Sequence, residues 1–330
     1  MADPVALSVL NATSAHSASE SAHPHLKSLV DAAKACGPMR VAIAYPCDAA
    51  SLGAAIEAAR AGLIIPILVG PRARMEAAAQ QGGLELSGIE MVETSDNPRV
   101  AAAQAATLCR EGAAAALMKG SLHTDELLGA AVSRDAGLRG GSRASHAFVL
   151  DVPGADRPLV LTDCVVNIEP GLMEKRDIVQ NAINFAHAIG VACPRVAILS
   201  AVENINPAVA STLDAAALCK MADRGQITGA ILDGPLAYDN AVSAESAINK
   251  GIVSEVAGRP DIMLLPNLEA GNMLYKQLVY TAGAECAGLV LGMKVPIILT
   301  SRSDSITARI TSCALAVLVA TRLAGRGDRA

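Results

Sequence analysis

The sequence predicts an α/β protein built on a large, mostly parallel sheet, and three observations carry that reading. Short aliphatic runs alternate with helical stretches through most of the 330 residues. The hydrophobic 52% is mainly Ala, Val, Leu and Ile, with only 2 Phe, 4 Tyr and no Trp. Two strand-like runs, 146–151 (HAFVLD) and 158–163 (PLVLTD), flank Pro153-Gly154 at a spacing that suits a hairpin. Alternation at this pitch means βαβ units and parallel strands. The hairpin marks a place where the parallel pattern breaks.

The elements follow in order. Residues 1–25, rich in Ser, Ala and His, read as a loose leader. Strands are predicted at 39–46, 64–70, 88–93 and 114–119, with helices at 48–61, 72–81, 97–111 and 123–133. Residues 134–145 (RDAGLRGGSRAS) lack periodicity and read as a hinge. After the hairpin come helix 174–189, strand 195–201, helix 207–223, strand 228–234, helix 243–257, strand 261–266 and helix 269–282. Strands 286–291 and 296–301 and helix 304–324 close the chain. The hairpin inside this series predicts two lobes. Domain I takes 26–143 plus 289–330, and 144–288 form an inserted domain II. The cleft between them is the default site.

Composition narrows the function. A net charge of −5, with few aromatics, argues against a nucleic-acid surface. No apolar run approaches the roughly 18 residues of a membrane span, and no signal-peptide pattern opens the chain. The 8 cysteines form no CxxC pair and mostly sit in apolar runs, as reduced thiols of a cytoplasmic protein do. Cys47, just after a strand, is a candidate for the neighbourhood of a site. Neither His16, His23 and His25 nor His123-x-Asp125-Glu126 makes a strong metal motif, and no metal ligands are assigned.

Four strand ends carry the chemistry. VPIILTSRSDS (Val295–Ser305) places Ser301, Arg302 and Asp304 after a buried run. Ligands of open α/β sheets bind at such carboxyl ends, and Arg offers a planar fork matched to phosphate. MKGSLHTDE (Met118–Glu126) puts Gly120, Ser121 and Thr124 at a helix N-terminus, which suits an anion. An ordinary helix cap accounts for the same residues. LDGPLAYDNAVS (Leu232–Ser243) presents Asp233 and Asp239 to a cleft or merely turns the chain. LLPNLEAGNMLYK (Leu264–Lys276) starts a helix with Gly271 and Asn272, poor helix formers. They imply either close approach of a ligand, with Asn272 and Lys276 in reach, or tight packing of helix on strand. GxGxxG after a strand, GxxxxGK[ST], GxSxG and HExxH are all absent. Dinucleotide dehydrogenase, P-loop NTPase and α/β-hydrolase readings therefore lack support.

Together, Pro46-Cys47-Asp48, ALMKGSLHTDELL, LTDCVVNIEP, LSAVENINP, LDGPLAYDNAVS, LPNLEAGNMLYK and VPIILTSRSDS resemble the phosphate acetyl/butyryltransferase family. The blocks run in order from about residue 40 to 320. The resemblance implies a two-lobed, three-layer αβα fold like that of the isocitrate/isopropylmalate dehydrogenases, with the cleft between lobes, and a homodimer. It implies the reaction acyl-CoA + phosphate ⇌ acyl phosphate + CoA, with these small molecules as substrates and no bound cofactor. Phosphate acetyltransferase is the first reading, ahead of phosphate butyryltransferase. The resemblance puts Ser301-Arg302 at the active site and Gly120, Ser121 and Thr124 near the acyl phosphate. Two departures stand out. The acetyltransferase branch carries an Asp seven residues after the Ser, where this chain has Ala308, and an Arg where it has Leu128. Asp304 is the substitute base, and Arg139 or Arg143 from the hinge would replace the Arg.

In the mechanism that follows, Arg302 binds phosphate and the developing oxyanion. Ser301 and the N-terminus of helix 123–133 complete the cradle. A carboxylate takes the CoA thiol proton, since a thiol of pKa about 8.5 is mostly protonated at neutral pH. Two other classes compete. A metal- and NAD-dependent dehydrogenase on the same fold would require a divalent metal. A non-catalytic relative would bind CoA or acyl phosphate without exchange.

Overall fold

The structure, a computed structural model, describes residues 23–299 and 304–327. The chain opens with α1 (Pro24–Ala35) and runs β1 (Met39–Ala44), α2 (Ala49–Arg60), β2 (Ile64–Gly70), α3 (Arg72–Gly82), β3 (Glu90–Glu93), α4 (Pro98–Arg110), β4 (Ala116–Lys119) and α5 (Thr124–Val132). The hairpin of β5 (Ser145–Asp151) and β6 (Leu159–Thr162) is present, as its spacing predicts. Next come α6 (Leu172–Ala188), β7 (Arg195–Leu199), α7 (Ala210–Asp223), β8 (Ile231–Leu236), α8 (Tyr238–Val242), α9 (Ala244–Asn249), β9 (Ile262–Leu264) and α10 (Leu268–Tyr280). The last elements are β10 (Glu285–Leu291), β11 (Ile297–Ile298) and α11 (Ile306–Gly327).

All strands join one 11-stranded sheet in the order β3-β2-β1-β4-β11-β10-β5-β6-β9-β7-β8. From β3 to β11 the strands are mutually parallel. From β6 to β8 they are again mutually parallel. Between these halves, β10 is antiparallel to both β11 and β5, and β5 to β6. Three reversals set the two halves in opposite directions. Register then brings their carboxyl ends together: Val290 lies opposite Ile297, while Ala147 lies opposite both Leu289 and Thr162. The last residues of β11 and β6 thus meet at the level of Ala147.

Strand alternation builds the layers. Val41, Ile43 and Met118 point into a core shared with α1, α2, α6 and α11. Ala42, Ala44 and Leu117 point to the other face, under α4 and α5. Further along that face, Leu161, Ala197 and Met263 pack under α8 to α10. Small alanines on strands and helices let these layers close without aromatic filler.

Several elements differ from expectation. The predicted helix 243–257 is instead two short helices. Ser243 ends α8 and caps α9, its hydroxyl accepting from the Ser246 N–H at 3.1 Å. Gly251, at φ +69°, then stops α9. Helix α1 was not anticipated. Its N-terminus is fixed by Asp151, whose Oδ2 accepts from the N–H groups of His25 (2.8 Å) and Leu26 (3.1 Å). The end of the expected leader, His23 to His25, is therefore tied to β5, and 1–22 lie outside the described residues. Helix α11 corrects the membrane expectation. Ile306–Gly325 are long and apolar enough to span, at a mean hydropathy of 1.5, but 56% of that window is buried. Cys313, Ala314, Leu315 and Ala316 are fully buried against the sheet layer, so α11 is a core helix of this fold.

One ion pair anchors the distal half. Asp261 accepts from the Arg195 N–H at 2.8 Å and from its Nε at 3.1 Å. Burial raises the Asp261 carboxyl, but these bonds outweigh it and hold the group below the usual carboxylate range. A carboxyl depressed in the folded state stabilises above its unfolded pKa of about 3.9, and that contribution disappears as pH falls through the lower folded value. Asp261→Asn is expected to be less stable than the parent at pH 7, with the gap closing below pH ~4. Urea midpoints against pH check this, and a gap that stays constant into acid would refute it.

Candidate active site

A cleft of about 620 Å³ opens where the two half-sheets end. The β4 side begins at Lys119 and Gly120. A Cβ on Gly120 would sit 2.3 Å from the Ala44 carbonyl oxygen and 2.6 Å from that of Tyr45. The missing side chain is thus demanded by the close approach of the end of β1. The Gly120 and Ser121 N–H groups donate to Ala44 and Tyr45 carbonyls, both at 2.9 Å. The Ser121 hydroxyl donates to the Tyr45 carbonyl (2.8 Å) and accepts from the Cys47 N–H (2.9 Å). Ser121 lines the cleft, but its hydroxyl is engaged in joining two loops. Thr124, at the first turn of α5, lines the same wall.

The loop that Ser121 grips is held from behind. Tyr45 has φ +53°, a conformation costly for a bulky residue. Its hydroxyl donates to Asp96 at 2.5 Å and accepts from Arg74 at 2.5 Å. Burial and the Asp96 bond push the phenol up to about 12, while bonds from Tyr45 and Arg74 hold Asp96 below its usual range. Burial likewise raises the Cys47 thiol to about 11, so it stays protonated. Cys47 touches the site through its N–H; its thiol is not part of the cleft wall.

Helix α10 supplies the facing wall. Asn267 caps it, accepting from the Ala270 N–H at 3.0 Å. A Cβ on Gly271 would lie 2.6 Å from the Asp163 carbonyl oxygen, so this glycine serves helix–strand packing. Asn272 donates to the Cys164 carbonyl at 3.2 Å and lines the cleft, as does Lys276. Leu299 and Asp304 line it from the C-terminal segment. Ser301 and Arg302 lie outside the described residues.

Sequence reasoning missed the aromatic floor. Phe148 stacks on Tyr275, with centroids 4.2 Å apart at 13°, and meets His146 edge-on at 4.4 Å. All three line the cleft. The available signal was spacing: His146 and Phe148 are two apart on one strand and so share a face. Opposite Phe148 stands Gly288, where a Cβ would come within 2.7 Å of both rings. Burial, then the nearby Cys286 and Asp304, push the Tyr275 phenol upward.

Two expectations fall elsewhere. Asp233 sits on β8 at the far edge of the sheet, opposite Ala197, and accepts from the Gly234 N–H at 2.8 Å. The structure does not bring it to the cleft, because β8 closes the sheet's distal edge. Arg139 and Arg143 line a neighbouring cavity of about 430 Å³. Arg143 pairs with Glu174 at 2.5 Å and Arg139 donates to the Val132 carbonyl, so neither stands in the main cleft wall.

Opposed half-sheets ending at a cleft with Lys119, Lys276 and a helix N-terminus define an α/β protein whose cleft suits a small anionic molecule. Comparison with known proteins makes this specific. The family model described as phosphate acetyl/butaryl transferase matches residues 99–317. A phosphate acetyltransferase of Rhizobium meliloti is 54% identical over 89% of this chain and 93% of its own. A phosphate butyryltransferase of Clostridium beijerinckii is 44% identical over 86% and 93%. A branched-chain phosphotransacylase from Enterococcus faecalis superposes with a TM-score of 0.75 at 29% identity, covering 86% of this chain and 99% of its own. A 4-hydroxythreonine-4-phosphate dehydrogenase from Klebsiella pneumoniae, at 14% identity and a TM-score of 0.50, shares the fold alone, over 86% of this chain and 99% of its own. The chain belongs to the phosphate acetyl/butyryltransferase family and is an acyltransferase.

Proposed function

We propose that this chain interconverts acetyl-CoA and phosphate with acetyl phosphate and CoA. The 54% identity to a phosphate acetyltransferase, against 44% to a butyryltransferase, carries the choice of acyl group. Thr124 and the α5 N-terminus would face the phosphate, with Lys119 and Lys276 drawing in the anionic substrates. Arg302 would stabilise the oxyanion beside Ser301, and Asp304 would take the thiol proton. Juxtaposing the two substrates supplies much of the rate, so no covalent enzyme intermediate and no resident cofactor are needed.

Residues 26–143 with 289–330 would form one lobe and 144–288 the other, a division supported by the reversal of strand direction between β11 and β6. Free thiols at all eight cysteines support a cytoplasmic setting. A homodimer is what the family resemblance implies.

Phosphate-dependent thiol release from acetyl-, propionyl- and butyryl-CoA tests the reading. Chelator-insensitive release, fastest with acetyl-CoA, is expected. One methylene is worth roughly 10–200-fold in selectivity, so butyryl-CoA outpacing acetyl-CoA by tenfold would assign the butyryl reaction. No release from any of the three would favour a binding relative.

A further inference from the structure

His146 is 1% exposed, yet it lines the cleft, and its Nδ1 is buried with no hydrogen-bond partner among the described residues. A buried polar atom left unpaired is destabilising, and native folds contain few of them. The backbone groups of His146 are satisfied. Its N–H donates to Asp163 Oδ2 at 3.1 Å, and its carbonyl accepts from the Thr162 hydroxyl at 2.8 Å. Its ring packs edge-on against Phe148, over Gly288. Backbone and ring are fixed, then, while one ring nitrogen of a residue in the cleft wall is buried without a partner among the described residues. That is the arrangement expected where a ligand supplies the missing partner.

Resting on the acyltransferase reading, we propose that His146 is a further catalytic residue, donating a hydrogen bond through Nδ1 to the carbonyl oxygen of the acyl group. In the direction of acyl-CoA synthesis, the CoA thiol gives its proton to Asp304, the proposed general base, the sulfur bonds to the carbonyl carbon and the C=O electron pair moves onto oxygen. The pair then returns, the C–O bond to phosphate breaks, and phosphate leaves with those electrons. His146 keeps its proton throughout and stabilises the oxygen while it is charged.

Charge state fits a donor and not a base. Burial holds the imidazole well below its ordinary range, and the negative charge of Asp163 opposes this only in part. A ring that stays neutral under these conditions takes a thiol proton unfavourably. A neutral imidazole donates well to a developing oxyanion. Phe148 and Tyr275 supply an apolar floor beside it, which strengthens such a bond.

The test compares His146→Phe, His146→Asn and His146→Gln in the intact protein. Asparagine places an amide near the Nδ1 position, glutamine near the Nε2 position. Expected are a kcat loss of about 10²–10³-fold for phenylalanine, a loss under about tenfold for asparagine, and CoA affinity by titration calorimetry within about twofold of the parent. Phenylalanine retaining half the parent turnover would overturn the assignment. So would equal losses for asparagine and glutamine. If His146→Phe does not fold, as judged by its thermal transition, the asparagine–glutamine contrast alone decides. Parent turnover measured alongside separates failure of this assignment from failure of the acyltransferase reading, since the latter would leave the parent inactive too.

Discussion

Replacing Arg302 by alanine is expected to lower turnover by about two to three orders of magnitude while moving the thermal midpoint by less than about 2 °C. The argument starts from sequence: Ser301-Arg302 follows the apolar run of β11. The nearest described residues on either side, Leu299 and Asp304, both line the cleft. A guanidinium acts on charge that develops during acyl transfer, so its removal reduces kcat more than substrate affinity. Arg302→Lys should recover only part of the loss, because an ammonium keeps the charge but not the planar fork. Rates of phosphate-dependent thiol release, paired with thermal melts, check both variants. Near-parent turnover in Arg302→Ala would remove it from the site.

The fold was legible because its grammar is local. Aliphatic strands such as Ile64–Gly70 and capped helices such as Asp48 with its Ser51 partner announce themselves in a few residues. The hairpin, too, is written in its short separation. What resisted reading depends on contacts distant in sequence. Helix α1 owes its start to Asp151, more than a hundred residues away. The role of Gly120 depends on β1, and that of Gly271 on the turn after β6. Gly120 reads as room for a ligand and Gly271 as either that or tight packing; at both, the missing Cβ makes room for a neighbouring backbone. For the site, Thr124, Asn272, Lys276 and Asp304 gather at one cleft because their strand ends do. Asp233 has the same local signature, an acid at a strand end, but β8 places it at the wrong edge. Only sheet order distinguishes the two cases. His146 was hidden for the opposite reason: its spacing from Phe148 shows a shared strand face, but the unpartnered ring nitrogen shows only in the fold.

Asp163→Ala is expected to destabilise the fold by about 3–5 kcal/mol, the range seen when a buried charge network loses a member. Asp163 is 2% exposed. Its Oδ1 accepts from the N–H groups of Val165 and Val166, both at 2.9 Å. Its Oδ2 accepts from the His146 N–H at 3.1 Å and from Asn167 Nδ2 at 2.6 Å. Four donors therefore lose their acceptor at once, and each buried donor left unpaired costs about 1–3 kcal/mol before relaxation. The sum is not additive, because water can enter and the turn after β6 can shift. Asp163→Asn should be nearly as harmful, since its amide turns a donor toward donors. The same turn carries Val165 into the cleft wall and holds the strand of His146, so activity should fall with stability in both variants. Urea denaturation with a single transition gives the stability change, and turnover well below the midpoint gives the functional one. A loss under about 1 kcal/mol would mean that the turn keeps its shape without the carboxylate, and that the link from Asp163 through His146 to the cleft is not what orders the site.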